Sequence, residues 1–208
     1  MNGHVEELLS RARGPLGPSV QPDLGTTSGP LGKLAELLAH QNGFAAFNAG
    51  LQVFRAGPRG LGPELGHWNQ RGTWKDTYGG LADGLFCFAQ DLFGVQFAIV
   101  DNARVLRFDP ETARQTELGD SLADWAAWLL ADPDVRGTHH FATAWQDQHG
   151  PLDHHQRLIP LRFFALGGDY SFDNLVVKDA EECMRIRGPV AQRVHALPDS
   201  AHLRMRVE

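Results

Sequence analysis

Cysteine is scarce in this chain. Cys87 and Cys183 are the only two among 208 residues, and no Cys-x-x-Cys pair occurs. A zinc ribbon and a disulfide framework are therefore excluded, and a reducing cytoplasm is the expected compartment. Long apolar runs are missing as well. The longest, Trp125 to Ala131, has seven residues, against about 20 for a membrane-spanning helix. The start, Met1-Asn2-Gly3-His4-Val5-Glu6-Glu7, is acidic with no apolar stretch behind it, unlike a secretory signal. Positive charge is in deficit: 19 Lys and Arg stand against 25 Asp and Glu, for a net charge of −6. A nucleic-acid binder needs a basic footprint for phosphates, so direct contact with nucleic acid is disfavoured.

The usual signatures of catalysis are also lacking. There is no Gly-x-Ser-x-Gly elbow, no His-Glu-x-x-His and no Gly-x-x-x-x-Gly-Lys-Ser/Thr. Gly57-Pro58-Arg59-Gly60-Leu61-Gly62 has no following lysine, and its prolines remove amides that a phosphate would need. Cys87 sits between Phe86 and Phe88 and reads as a buried thiol. Cys183 follows two glutamates, which would raise its pKa, the wrong direction for a nucleophile. Five histidines, His139, His140, His149, His154 and His155, lie close together with Asp147 and Asp153. On one helix His139 and His149 would point roughly 80° apart, and His154-His155 follows Pro151 in a loop. A hydrolytic metal site in the His139–His155 region is the enzymatic alternative; solvated histidines and no metal or cofactor are the expectation.

What is present reads as a mixture of helices and short strands. Val5, Leu8, Leu9 and Ala12 fall at helical spacing. Residues 14–32 hold nine Gly or Pro among 19, which predicts a loop or tether. A second helix is expected over Lys33 to Gln41, stopped by Asn42-Gly43. Phe44 to Phe54 reads as partly extended, and Trp68 to Tyr78 as a helical turn or two. Leu85 to Ala89, Val95 to Val100 and Arg104 to Phe108 are short apolar runs parted by turn residues, which predicts an antiparallel meander ended by Asp109-Pro110. Ser121-x-x-Asp124 resembles a capping box ahead of a helical face of Leu122, Trp125, Ala126 and Leu129. Further helices are expected over His139 to His149 and over Asp179 to Ala196, the latter broken at Gly188-Pro189. Arg157 to Leu166, Phe172 to Val177 and Leu203 to Val207 read as strands. No regular βαβ alternation appears, so the fold class is α+β. One core cluster is expected from Phe86, Phe88, Phe97, Ile99, Leu122, Trp125, Leu129, Phe141 and Trp145.

Charge is distributed unevenly. Asp109 to Asp134 carries seven acids against one base, Arg114. Such a block either steers a basic partner or is a solvated face. Asp124, Trp128 and Asp132 recur every four residues, off the apolar stripe of their helix. A tryptophan flanked by carboxylates suits an interface anchor, and a boundary tryptophan packed on a loop is the plainer alternative. The candidate partner-binding residues are Asp109, Glu111, Asp120, Asp124, Trp128, Asp132 and Asp134; no catalytic or metal-binding residue is assigned.

Several segments, in order, resemble the SUKH superfamily. Asn42-Gly43-Phe44 follows an apolar helix and leads to Phe47 and Leu51-Gln52-Val53-Phe54. Phe86 to Phe97, FCFAQDLFGVQF, is similar to that family's FAEDLFG-QF strand pair, with Gln90 where an acid is usual. Arg107-Phe108-Asp109-Pro110-Glu111-Thr112, Ser121-Leu122-x-x-Trp125 and Leu166-Gly167-Gly168-Asp169-Tyr170 followed by Asp173-Asn174-Leu175 continue the match. Asp169 stands where Glu is usual, and Leu197-Pro198-Asp199 echoes a closing Leu-Pro-Asp-Gly with Ser200 for the glycine. The resemblance spans roughly residues 33–207. It implies an α+β fold with a central, largely antiparallel sheet and helices packed around it. It also implies a non-enzymatic role: bacterial members are mostly immunity proteins that bind a polymorphic toxin, often a nuclease, and fungal relatives regulate cell-wall assembly.

The expectation is thus an N-terminal helix and tether over residues 1–32 and a single SUKH-like domain over 33–208. The expected function is neutralisation of a cognate toxin, a basic nuclease domain, by occluding its active or nucleic-acid-binding surface, with no membrane involved. A scaffold or regulatory subunit of a larger complex is the alternative among binding proteins.

Overall fold

The fold grows almost entirely from neighbours in sequence. A computed structural model describes residues 3–197; the strand expected over Leu203 to Val207, and Pro198-Asp199 of the closing motif, lie outside the described residues. Helix α1 (Gly3–Ser10) buries Val5 and Leu8, and strand β1 (Ala12–Arg13) follows it. Helix α2 (Gly29–His40) begins four residues earlier than expected, because Pro30 occupies its first turn, where a missing amide costs nothing. Strands β2 (Phe44–Ala46) and β3 (Leu51–Val53) form a hairpin. The reversal between them puts Phe47, Asn48 and Ala49 at φ 55°, 53° and 64°. Left-handed backbone at non-glycine residues costs about 1–2 kcal/mol each, so this turn needs outside support.

Helix α3 (Leu65–Trp68) and a 3₁₀ turn at Lys75–Tyr78 lead into the centre of the sheet. That centre is β4 (Phe86–Asp91), β5 (Gln96–Val100), β6 (Arg104–Phe108) and β7 (Gln115–Gly119). All seven strands lie in sequence order, β1 to β7, each antiparallel to the next. The meander therefore does not end at Asp109-Pro110 as expected; the chain turns there and adds β7. The fold is α+β, completed by helix α4 (Leu122–Leu130), helix α5 (His139–His149), a two-stranded sheet of β8 (Gln156–Pro160) and β9 (Leu175–Asp179), and helix α6 (Ala180–His195). No helix among the described residues is long and apolar enough to cross a membrane.

Side-chain alternation gives the main sheet two faces, and both are covered. On one, Phe88 and Phe97 meet Trp125 of α4 edge-on, with ring centroids at 5.0 and 5.9 Å. On the other, the buried Gln96 accepts from Trp68 Nε1 at 2.8 Å, and Phe108 packs against Trp74 and Tyr78. Burial on both faces explains why β4 and β5 read as near-continuous apolar runs. Residues 1–32 join this arrangement: Val5 and Leu8 belong to the same hydrophobic cluster as the sheet, β1 pairs with β2, and Leu16 is buried with its amide 3.0 Å from the Asn42 carbonyl.

The residues expected in a single cluster divide between two of the three hydrophobic clusters found among the described residues. Phe88, Phe97, Ile99, Leu122, Trp125 and Leu129 are buried in the main cluster, with Phe86 half-buried against it. Trp145 instead joins Leu92, Phe93, Leu158 and Leu175 in a second cluster, flanked by a half-buried Phe141. Helix α6 is also unbroken, contrary to the expected stop at Gly188-Pro189. Pro189 is exposed, and the helix is fastened on both sides of it: Arg185 Nη1 donates to the Thr73 carbonyl at 2.9 Å, and Gln192 Nε2 to the Thr77 carbonyl at 2.7 Å. Gly188 is required here, since a Cβ would stand 2.6 Å from the Thr77 oxygen.

Trp125 is fully buried, yet its indole Nε1 has no hydrogen-bond partner among the described residues. Its contribution is therefore packing alone. Trp125→Ala should cost about 3–5 kcal/mol in denaturant unfolding, while Trp125→Phe should cost clearly less. An alanine variant destabilised by under about 1 kcal/mol would remove Trp125 from the core.

Candidate functional site

The acidic block divides into structural and exposed members. After β6, Asp109 accepts from the amides of Glu111 at 2.8 Å and Thr112 at 3.3 Å, which turns the chain toward β7. This turn sends Glu111 inward, where only 4% of it is exposed. Its Oε2 accepts from the Ala165 amide at 2.9 Å, and its Oε1 lies 3.7 Å from Nε of the buried Arg187. Burial raises the Glu111 pKa above the usual carboxylate range.

At the start of α4, the Ser121 hydroxyl accepts from the Asp124 amide and donates to Asp124 Oδ2 at 2.6 Å. That hydroxyl holds the exposed Asp124 carboxylate below its ordinary pKa. Asp120 precedes the cap and is exposed. At the other end of α4, Asp132 accepts from the Val135 amide at 3.2 Å, and Asp134 pairs with His139 at 3.3 Å. Trp128 lies between these ends, half-buried and edge-on to Phe97 at 6.2 Å. The Arg136 guanidinium covers its ring at 5.0 Å and donates to the Trp128 carbonyl at 3.0 Å. The stripe is thus occupied by its own chain, with Trp128 sandwiched between Phe97 and Arg136. A nine-residue helix is about 13 Å long, so Asp120 and Asp124 stand well apart from Asp132 and Asp134.

Folding brings Asp109 and Asp134, 25 residues apart, to one concavity of about 530 Å³. Glu111 and Asp91 line it from the buried side, and the half-buried Arg107 and exposed His140 complete its polar lining. Asp91, the last residue of β4, carries no signal in the sequence beyond that of a turn residue between two apolar runs. Its Oδ1 accepts from the amides of Phe93 and Val95, both at 2.9 Å, so the carboxyl builds the β4–β5 turn. Burial pushes its pKa up to about 6, with Arg107, the two amides and Arg157 opposing the rise. Arg157 is itself buried and lowered to about 10; it donates to the Gln52 side chain, which also accepts from Gln90 at 3.0 Å.

The rest of the lining is aromatic. Phe93, presented by the turn that Asp91 holds, meets Phe141, Phe164 and Tyr170 edge-on at 5.1, 5.6 and 5.5 Å. Phe164 and Tyr170 stack at 3.8 Å and 8°. Tyr170 is 64% exposed; partial desolvation of its hydroxyl, then the carboxylates of Asp91, Glu111 and Asp109, raise its pKa against the opposing charge of Arg107. Its motif, Leu166-Gly167-Gly168-Asp169-Tyr170, is visible in the sequence; its meeting with Phe93 is not.

Other candidate chemistry is dispersed. His139 packs near Phe47, and His149 stacks on Trp145 at 3.9 Å. Among the described residues no group of three or more His, Cys, Asp or Glu side chains is placed to hold a metal ion. Both cysteines are buried, and burial pushes the thiols up to about 12 for Cys87 and about 11 for Cys183.

No protein-family model matches the sequence. No curated protein matches it either. Among solved structures, the crystal structure of Atu4351 from Agrobacterium tumefaciens is similar, with a TM-score of 0.50 and 15% identity. The match covers 91% of this chain and 81% of that one, and at this identity it is a likeness of fold.

The Asp91 carboxyl makes stability depend on pH. Between its ordinary value of 3.8 and about 6, the unfolded chain has lost this proton and the folded chain keeps it. Folding therefore binds a proton in that window, and the contribution of Asp91 to stability falls as pH rises through it, by roughly 2–3 kcal/mol in all. Asp91→Asn keeps an oxygen for the Phe93 and Val95 amides. Unfolding measured from pH 4 to 7 should show a shallower decline in this variant, whatever its absolute stability. An unchanged slope would show that Asp91 ionises normally in the fold.

Proposed function

We propose that this chain is a non-enzymatic, immunity-type binding protein that acts in the cytoplasm on a toxin. Its partner is a toxin domain with a basic surface, a nuclease being the class that such a surface serves. Neutralisation is by occlusion: carboxylates occupy the ground that nucleic-acid phosphates would use. The observation that carries this reading is the convergence of Asp109 and Asp134, the two ends of the acidic block, at one aromatic-lined concavity. The similarity of several segments to the SUKH superfamily supports it independently. Two buried thiols raised far above neutrality also leave the cysteines poorly suited to nucleophilic work.

Capture of tagged full-length chain from its native cells, followed by mass spectrometry, identifies the partner. A toxin whose activity is suppressed by co-expression of this chain is the expected result; a captured partner with no toxic activity would overturn the proposal. The docking face then follows from kinetics. Asp134→Lys should slow association and flatten its salt dependence, while leaving dissociation nearly unchanged. Asp120→Lys, about a helix length away and beyond a Debye length of about 8 Å, should do much less. Equal effects from both, or none from either, would move the interface away from the concavity.

A further inference from the structure

The cavity joins two kinds of wall. One is aromatic: the Phe164–Tyr170 stack, with Phe93 and Phe141 beside it. The other is carboxylate: Asp109 from the β6–β7 turn, Asp134 from the loop after α4, and Asp91 and Glu111 from the buried side. We propose that this cavity is a binding site for an organic cation, a guanidinium group carried on a short apolar stem.

Charge, aromatic surface and size select that ligand. Glu111 is 4% exposed and lines the cavity, yet its Oε1 accepts no hydrogen bond among the described residues. The donor facing that oxygen is Nε of Arg187 at 3.7 Å, itself without a hydrogen bond, so Glu111 is a carboxylate of the cavity wall that is balanced from behind. The charge facing the cavity is then uneven. Arg187 balances Glu111 from behind, and Arg107 and Arg157 stand near Asp91. Asp134 shares His139, and His140 lies at the lining. Asp109 makes no ion pair among the described residues, and four carboxylates stand at the lining against Arg107 and His140, so the balance of charge there disfavours an anion. Finally, the exposed aromatic surface of Tyr170, backed by Phe164, suits a flat, weakly hydrated guanidinium better than a compact, strongly hydrated ammonium. A volume of about 530 Å³ lies in the range of small-ligand pockets. The guanidinium can come as a free small molecule or as an arginine side chain of a protein, and nothing here requires that protein to be a toxin.

The test is calorimetric or NMR titration of the full chain with n-butylguanidinium, compared with n-butylammonium, n-butanol and butanoate. Saturable binding in the order guanidinium, ammonium, then butanol is expected, with none for butanoate. Asp109→Asn should weaken the guanidinium about tenfold, the scale of one charge-assisted hydrogen bond; its amide oxygen can still hold the Glu111 and Thr112 amides. Asp134→Asn, on a different element, should act in the same direction. Phe164→Leu should remove the preference for guanidinium over ammonium. A blocked Ala-Arg-Ala tripeptide binding at least as tightly as n-butylguanidinium would assign the site to arginine side chains, and weaker binding would assign it to a free cation. Absence of saturable binding by either cation, butanol binding as tightly as the guanidinium, or indifference to both Asn variants would overturn the proposal. None of these outcomes bears on whether the captured partner is a toxin, which is read separately.

Discussion

The ion pair between Glu111 and Arg187 holds the two halves of this molecule in one arrangement. Arg187, on α6, is fully buried; it reaches Glu111 in the β6–β7 turn and donates to the Leu158 carbonyl of β8 at 3.2 Å. Glu111 in turn accepts from Ala165, in the segment that leads to Tyr170. One pair of charges thus ties the edge of the large sheet to the small sheet, to the last helix and to the aromatic wall of the cavity. Such a pair contributes little to stability compared with an apolar replacement, because both ions lose their water. Removing one partner is a different matter, since it strands the other charge in the interior. The geometry of 3.7 Å, with Nε and Nη1 of Arg187 lacking hydrogen bonds among the described residues, points to positioning rather than strength. Its role is to fix where the 163–170 segment stands.

The large sheet needs no such device. From β4 to β7 each strand pairs with the next across a short turn, so closure entropy is small at those steps, whereas residues 14–43 and 54–85 separate β1 from β2 and β3 from β4. That is why its centre was legible: apolar runs parted by Asp91 to Gly94 and by Asp101-Asn102 say both strand and turn. The capping of α4 was legible for a similar reason, since Ser121 and Asp124 interact within one helical turn. Strand β7 was not legible. Gln115, Thr116 and Glu117 are exposed, and an edge strand with no apolar alternation leaves no period to read. The run through Gly188-Pro189 misled for the opposite reason. Local propensity says stop, but Arg185 and Gln192 anchor the helix to residues 73–77, over a hundred positions away. The left-handed Phe47–Ala49 turn likewise depends on distant support: Gln146 Nε2 donates to the Asn48 carbonyl at 2.6 Å, and Thr138 Oγ1 to the Gly50 carbonyl at 3.0 Å.

The candidate site shows the same division between local and remote. Density of charge along a sequence is not density of charge on a surface. Within residues 109–134, Asp109 shapes a turn, Glu111 goes into the interior, Asp124 completes a cap and Asp132 holds a helix exit. Acids are frequent in this stretch largely because short carboxylates are good at stopping and starting backbone. Trp128, selected as an anchor because it lies off the apolar stripe, is covered by Arg136 from its own chain. Helical spacing alone does not reveal what the following loop brings back over a residue.

What remains after these local duties are met is more informative than the total. Asp109 and Asp134 each have exposed or partly exposed carboxylates at one concavity, and they come from elements that meet only after α4 has packed on the sheet. Asp91 and Phe93 stand on the inner side because one carboxyl oxygen folds the β4–β5 turn that presents the ring. The turn-building acid and the cavity-lining acid are therefore the same residue, and its charge is the one most disfavoured by its surroundings among the aspartates. Backbone support alone would be met equally by asparagine, which accepts the same two amides without burying a charge. Above about pH 6 the carboxylate at this position adds negative charge to the cavity wall, partly offset by Arg107 and Arg157, and that charge links the turn chemistry of the sequence to the cation proposed for the cavity.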